Sequence, residues 1–158
     1  MSRVLALDVG EKTIGVAMSD ETGRMAFPGV TIWRQEGHKR DMAALRQLVT
    51  DSKVEAIVVG LPLMMDGSRG IQAEKIDAFV SVLRNNIRIP IHMQDERLST
   101  RQAERLLIAA DRRRDERKKT IDSMAACLLL QTYLDRRAEA VRKESALDDF
   151  AEEDESEG

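Results

Sequence analysis

Three carboxylates stand where acids can do chemistry. Asp8 lies near the end of a short apolar run, Leu5-Ala6-Leu7-Asp8-Val9-Gly10, Glu96 directly follows another, and Asp122 falls in the first turn of a helical stretch. A carboxylate at the end of a buried strand is costly unless it is paired or on a metal. Each position also has an ordinary reading. Asp8 would cap its own turn, Asp95-Glu96 would be a polar exit loop with Glu96 paired to Arg97, and Asp122 would complement the helix dipole. Brought to one sheet edge, the three would repel one another, and divalent cations resolve that conflict. All-oxygen ligands suit Mg²⁺ or Mn²⁺, and no His/Cys cluster competes. Asp95 is the alternative ligand beside Glu96. Two ions about 3.5–4 Å apart would serve phosphodiester hydrolysis, one activating a water and one stabilising the leaving 3′ oxygen.

The elements that must position these acids follow from hydrophobic period and turn residues. Val4–Val9 and Thr13–Ser19 flank Gly10-Glu11-Lys12 and suggest a hairpin. A third strand is expected around Met25–Trp33, its Pro28 marking an edge. Helical spacing of Met42, Leu45, Leu48 and Val49 predicts a helix over Lys39–Ser52. Val54–Gly60 reads as a buried strand, Ile71–Asn85 as a helix with Ile76, Phe79, Val80 and Leu83 on one stripe, and Ile89–Gln94 as a strand. Ser99-Thr100-Arg101-Gln102 has the form of a capping box opening a helix to about Ala110. A last helix is expected over about Thr120–Arg137 or beyond, with Ile121, Met124, Ala125, Leu128 and Tyr133 facing inward. The order β-β-β-α-β-α-β-α-α predicts an α/β fold. Its mixed five-stranded sheet has three antiparallel and then two parallel strands, with helices on both faces. With the first strand central, the acids could converge on one edge.

Cations surround these positions. Lys12 and Thr13 sit on the hairpin tip beside Asp8 and could touch a phosphate; an ordinary turn explains them equally. Asp66-Gly67-Ser68-Arg69-Gly70 precedes a helix whose free amides could hold an anion, or is a turn and cap. Arg112, Arg113, Arg114, Arg117, Lys118 and Lys119 lie just before Asp122 and suit phosphates, unless they pair with Asp111, Asp115 and Glu116. Arg97 is a further phosphate contact or merely neutralises Glu96. His38, His92 and Cys127 read as structural. The net charge of −3 conceals an asymmetry: every Lys and Arg lies at or before Lys143, and eight acids follow from Glu144 onward. Residues 1–143 therefore carry 25 basic against 20 acidic groups, compatible with a polyanionic partner. The remaining 144–158 read as an acidic, disordered tail. A single cysteine excludes an intramolecular disulfide and a multi-cysteine metal site. No run approaches the roughly 18 apolar residues of a membrane span, and Asp8 interrupts the start too early for a signal peptide. Aromatic residues are 3% of the chain, which argues against aromatic base-stacking platforms.

Four blocks resemble the YqgF/RuvX family, whose names describe Holliday-junction resolvases and pre-16S rRNA nucleases. They are Leu7-Asp8-Val9-Gly10-Glu11-Lys12-Thr13-Ile14-Gly15-Val16-Ala17, Val58-Val59-Gly60-Leu61-Pro62-Leu63-Met64-Met65-Asp66-Gly67-Ser68, Asp95-Glu96-Arg97-Leu98-Ser99-Thr100, and Lys119-Thr120-Ile121-Asp122-Ser123-Met124-Ala125-Ala126 with Leu130-Gln131-Thr132-Tyr133-Leu134. The resemblance spans roughly residues 3 to 137. It implies an RNase H-like fold, divalent-metal nuclease chemistry, a cytoplasmic location and maturation of the 5′ end of pre-16S rRNA. The older name implies resolution of branched DNA. Asp8, Glu96 and Asp122 carry over as metal-binding catalytic residues. Met64 departs from the Asn usual in the family. The expected partner is structured RNA or branched DNA, the protein acting as a monomer or weak homodimer away from membranes. A catalytically weak nucleic-acid-binding or ribosome-assembly factor is the alternative. An actin-like ATPase, which needs two related domains, is a distant third.

Overall fold

The computed structural model describes the backbone of residues 3–112 and 121–156, and the side chains among these except at 107, 110–112, 121–122 and 151–156. The described residues form five strands and four helices in the order β1 (Arg3–Val9), β2 (Thr13–Ser19), β3 (Ala26–Trp33), α1 (Lys39–Asp51), β4 (Val54–Leu61), α2 (Ile71–Asn86), β5 (Ile91–Asp95), α3 (Arg101–Arg112) and α4 (Ile121–Ser156). The sheet order is β3-β2-β1-β4-β5. β1 pairs antiparallel with β2, and β2 with β3. β1 pairs parallel with β4, and β4 with β5. The mixed sheet expected from the order of elements is therefore present, with β1 central. Because β1, β4 and β5 run in one direction, their C-terminal ends share an edge, and that edge holds Asp8, Leu61 and Asp95.

Alternation of side chains along the strands divides the apolar residues between two layers. Leu5, Leu7, Ile57 and Val59 pack on one face with Met42 and Leu45 of α1 and with Ile76, Phe79, Val80 and Leu83 of α2. Val4, Ala6, Ala17, Ala26 and Val58 meet Ala126, Cys127, Leu130 and Leu134 of α4 on the other. The small side chains on that second face let the helix lie close to the sheet. Val4–Leu7 are wholly buried, as both-sided covering of a central strand requires.

Several expectations shift. β5 begins at Ile91, after Pro90, because proline has no N–H to give to the ladder; its carbonyl still accepts from Ile57 N at 2.9 Å. The cap of α3 is Thr100, not Ser99: its Oγ1 accepts from Ala103 N at 3.3 Å, whereas Ser99 Oγ donates to Glu104. Gln102 reaches Met25 Sδ and closes no capping box. The buried stripe of α4 includes Ser123, Ala126, Cys127, Leu130, Gln131 and Leu134. Of the residues expected to face inward, Met124 and Tyr133 are half-buried and pack against that layer, Leu128 is half-buried, Ala125 is exposed, and the side chain of Ile121 lies outside the described residues. Finally, α4 continues to Ser156 where a disordered tail was expected. The lack of an apolar period excludes packing, and residues 138–150 are indeed exposed. It does not exclude a helix built from Ala, Glu, Lys, Arg and Leu, with Lys143 and Glu139 paired one turn apart. Among the described residues no helix is long and apolar enough to cross a membrane.

One polar side chain sits in the second layer. Gln131, fully buried, accepts from Ala26 N through Oε1 at 2.9 Å and donates through Nε2 to Arg24 O and Asp135 Oδ1, both at 2.9 Å. Asp135 Oδ2 in turn accepts from Thr100 Oγ1. This network fastens α4 to the start of β3 and to the cap of α3. A leucine at 131 would fill similar volume and strand the Ala26 amide in the core. Gln131→Leu is expected to lose about 1–3 kcal/mol of stability in urea unfolding.

Candidate active site

The shared C-terminal edge of β1, β4 and β5 brings two acids together. Asp8 lies one residue before the end of β1, opposite Gly15 on β2, which has no side chain to crowd it. Glu96 follows β5 directly, and its N–H donates to Leu61 O at 3.1 Å, extending the parallel ladder by one bond. Gly60 on β4 lies between them. A Cβ there would stand 2.5 Å from Glu96 Oε1 and 2.9 Å from its Cγ, so only glycine leaves room for this carboxyl. The Glu96 and Asp8 carboxyls are hydrogen-bonded. They line one cavity of about 170 Å³ with Leu98 and with Ala125, Leu128 and Leu129 of α4.

Two carboxylates in contact cannot both be ionised without a cation between them. Desolvation, then the charge and hydrogen bond of Asp8, then the charge of Asp95, push Glu96 up to about 7. Near neutrality the pair holds a proton in the place a metal could take. Its donors are all oxygen. Cys127, buried on the same helix, is pushed up to about 11 by burial and is a core thiol, not a nucleophile.

Asp95 and Glu96, adjacent in sequence, part company here. Arg97 takes Asp95: its Nε lies 3.0 Å and 3.1 Å from the two carboxylate oxygens, Nη2 is 2.7 Å from Oδ2, and Arg97 N donates to Oδ1 at 2.9 Å. These bonds hold the Asp95 carboxyl below the usual carboxylate range. Arg97 Nη1 also points to the carbonyls of Met64 and Met65, at 3.4 Å and 3.3 Å. The guanidinium thus braces the loop after β4 and neutralises Asp95, not Glu96. That loop turns at Gly67, whose φ is +88°, and presents Met65 99% exposed.

Lys12 is exposed at the hairpin tip and Thr13 is half-buried at the start of β2. Gly10 N donates to Thr13 O at 2.8 Å to close that turn. Two residues that sequence reasoning missed hold the tip in place. Arg34 Nη1 donates to Gly10 O at 2.8 Å, and Arg34 N donates to Lys12 O at 2.9 Å. Asp41, 1% exposed in the first turn of α1, pairs with Arg34 Nε at 3.4 Å. Nothing in the local sequence of Asp41 separates it from an ordinary helix-start acid. Gly60 was more legible, as a glycine closing a buried apolar strand.

Asp122 is the second residue of α4, one turn before Ala125 of the cavity wall. Its side chain lies outside the described residues. So do the side chain of Arg112 and all of Arg113, Arg114, Arg117, Lys118 and Lys119. Among the described residues no group of three or more His, Cys, Asp or Glu is placed to hold a metal.

Comparison with known proteins decides the family. The RuvX family, described as Holliday junction resolvase, matches residues 2–136. This chain belongs to the RuvX family. Relatives include proteins named "Putative pre-16S rRNA nuclease" from Desulforamulus reducens, 48% identical over 136 residues, and from Caldanaerobacter subterraneus subsp. tengcongensis, 50% identical over 134 residues. The alignments cover 86% and 84% of this chain, and 98% and 96% of the relatives. Among solved structures, T. thermophilus RuvC in complex with a Holliday junction substrate superposes with a TM-score of 0.58 at 15% identity, over 87% of this chain and 96% of that one. The yeast mitochondrial Holliday junction resolvase Ydc2 gives 0.55 at 13%, over 94% of this chain and 84% of that one. At such identities the likeness concerns the fold, and this RuvX chain has the RNase H-like fold of those resolvases.

The raised Glu96 has a signed consequence. Its folded value of about 7 lies above its ordinary 4.5, so the folded state holds the proton more tightly than the unfolded chain. That contribution is complete below about 4.5 and is lost as pH rises through about 7. In metal-free buffer Glu96→Gln should therefore melt above the parent at pH well over 7 and level with it in acid, as read by calorimetry. Gly60→Ala should displace the Glu96 carboxyl from Asp8 and return its titration toward the ordinary range, as followed by carboxyl NMR.

Proposed function

We propose that this protein is a divalent-metal-dependent endonuclease that hydrolyses phosphodiester bonds in structured nucleic acid, with the 5′ end of pre-16S rRNA as its substrate. The observation that carries this reading is the hydrogen-bonded contact of Asp8 and Glu96 at the C-terminal edge of the sheet. Asp8, Glu96 and Asp122 would hold Mg²⁺ or Mn²⁺. Helical period supports the third ligand, since position 122 shares a face of α4 with Ala125 and Leu129, both lining the cavity. When bound, the ions supply activation of the attacking water and charge stabilisation of the leaving 3′ oxygen. Asp8 and Glu96 would fix where those ions sit, because strand ends packed in a sheet move little.

Lys12 and Thr13 at the tip, and Arg112, Arg113, Arg114, Arg117, Lys118 and Lys119 before α4, would grip phosphates along the substrate. Arg97 acts mainly by holding the loop of Met64 and Met65 beside the site. Relatives at 48–50% identity named for pre-16S rRNA favour RNA over the branched DNA that the family description and the solved neighbours name. Cytoplasmic action, as a monomer or weak homodimer, belongs to the same proposal.

Purified protein should cut a precursor 16S rRNA leader in Mn²⁺ or Mg²⁺, leave a 5′ phosphate, and stop in EDTA; a four-way DNA junction tests the other substrate. Asp8→Asn should abolish cleavage and retain binding. A variant that cuts at the parent rate removes Asp8 from the mechanism. Binding without turnover by the parent protein would make it an assembly factor.

A further inference from the structure

A second cavity, of about 380 Å³, lies between β5 and α4, walled by His92, Met93, Leu98, Tyr133, Arg136 and Arg137. Leu98 also lines the cavity of Asp8 and Glu96, so the two hollows meet across one side chain. The chain has one tyrosine and two histidines, and this groove gathers the tyrosine and a histidine. Their rings stack at 5.9 Å between centroids and 24° between planes, and the Arg137 guanidinium lies 5.7 Å from the Tyr133 ring centre. So few aromatic rings argued against a stacking platform, but folding concentrates two rings and a guanidinium in one place. None of these groups has a part in the site derived above.

The charges in the groove are not balanced internally. Its acid, Asp95, is occupied by Arg97, and Arg137 pairs with Glu55 at 3.4 Å. Arg136 is exposed and makes no ion pair among the described residues. A groove offering a cation with no ion pair among the described residues, and an exposed His92 ring backed by Tyr133, suits an unpaired nucleic-acid strand, whose phosphates meet the arginine while a base lies on the outer face of the stack. A duplex hides its base faces and gains only the charge.

We propose that the β5–α4 groove is a single-strand subsite, holding an unpaired segment of RNA that flanks the bond lying at Asp8 and Glu96. This deepens the nuclease reading and rests on it. The subsite would select substrates in which a paired region ends in an unpaired extension, because only these present stackable bases next to the cleavage position.

Binding of fluorescent RNA, measured by anisotropy in EDTA so that nothing is cut, tests this. The probes are a blunt hairpin and the same hairpin with an oligouridine extension. Arg136→Ala should weaken the extended probe about fivefold and flatten the dependence of its affinity on salt by about 0.7 in log–log slope, and should leave the blunt hairpin unchanged. Arg46→Ala, on the opposite face of the sheet, should change neither. Photo-crosslinking from 5-iodouracil in the extension should map to the peptide of Tyr133 or that of His92. Equal loss on both probes, no loss on either, or crosslinks confined to other peptides would overturn the subsite while leaving the nuclease reading intact. Failure of the parent protein to bind either probe at low salt would remove both.

Discussion

The candidate site depends on two acids being held in contact at the end of a packed sheet. Asp8 and Glu96 are separated by most of the chain, and their mutual repulsion opposes the fold whenever both are ionised. What overcomes it is position: β1 lies in the centre of the sheet, buried on both faces, and the parallel crossovers through β4 and β5 deliver residue 96 to the same edge. Gly60 completes the arrangement by having no side chain where the Glu96 carboxyl must lie. A site under such tension is receptive to positive charge, which is what a metal-assisted phosphoryl chemistry requires.

The surrounding polar groups serve mainly to hold backbone around that edge. Arg97 spends its guanidinium on Asp95 and on the carbonyls of the Met64–Met65 turn. Arg34, anchored by buried Asp41, holds the hairpin tip through Gly10 and Lys12. Gln131, Asp135 and Thr100 tie α4 to β3 and α3. Each is a charged or polar side chain satisfied within the protein, and each fixes the approach of a segment that the proposed substrate would meet. Thus the cationic surface inferred from composition is not all available to phosphates: Arg97 and Arg34 are engaged, whereas Lys12 and Arg136 are exposed.

Family membership and fold agree with this picture at different ranges. The relatives at about half identity share nearly the whole chain, while the junction resolvases share the fold at 13–15% identity. A shared architecture over such distance is compatible with different substrates, because the strand ends that position the acids are core features and the loops that would meet a substrate are not.

By itself the sequence determined the elements and their packing faces, because periods of two and 3.6 residues record which side chains are buried. The hairpin of β1 and β2, the edge position of β3, and the stripe of Ile76, Phe79, Val80 and Leu83 were all legible, as were Asp8 and Glu96 as candidate acids. Local patterns failed where partners are distant. The exposure of Ala125 on α4, the shift of the α3 cap to Thr100, and the buried roles of Gln131 and Asp41 depend on residues remote in sequence. The helical extension to Ser156 is illegible for another reason: the lack of an apolar face rules out packing against the core and leaves a solvated helix open. Only the tertiary structure separated Asp95 from Glu96, since adjacent residues leaving a strand point to different sides. It also joined His92, Tyr133 and Arg137 into one stack, from two elements that only folding brings side by side.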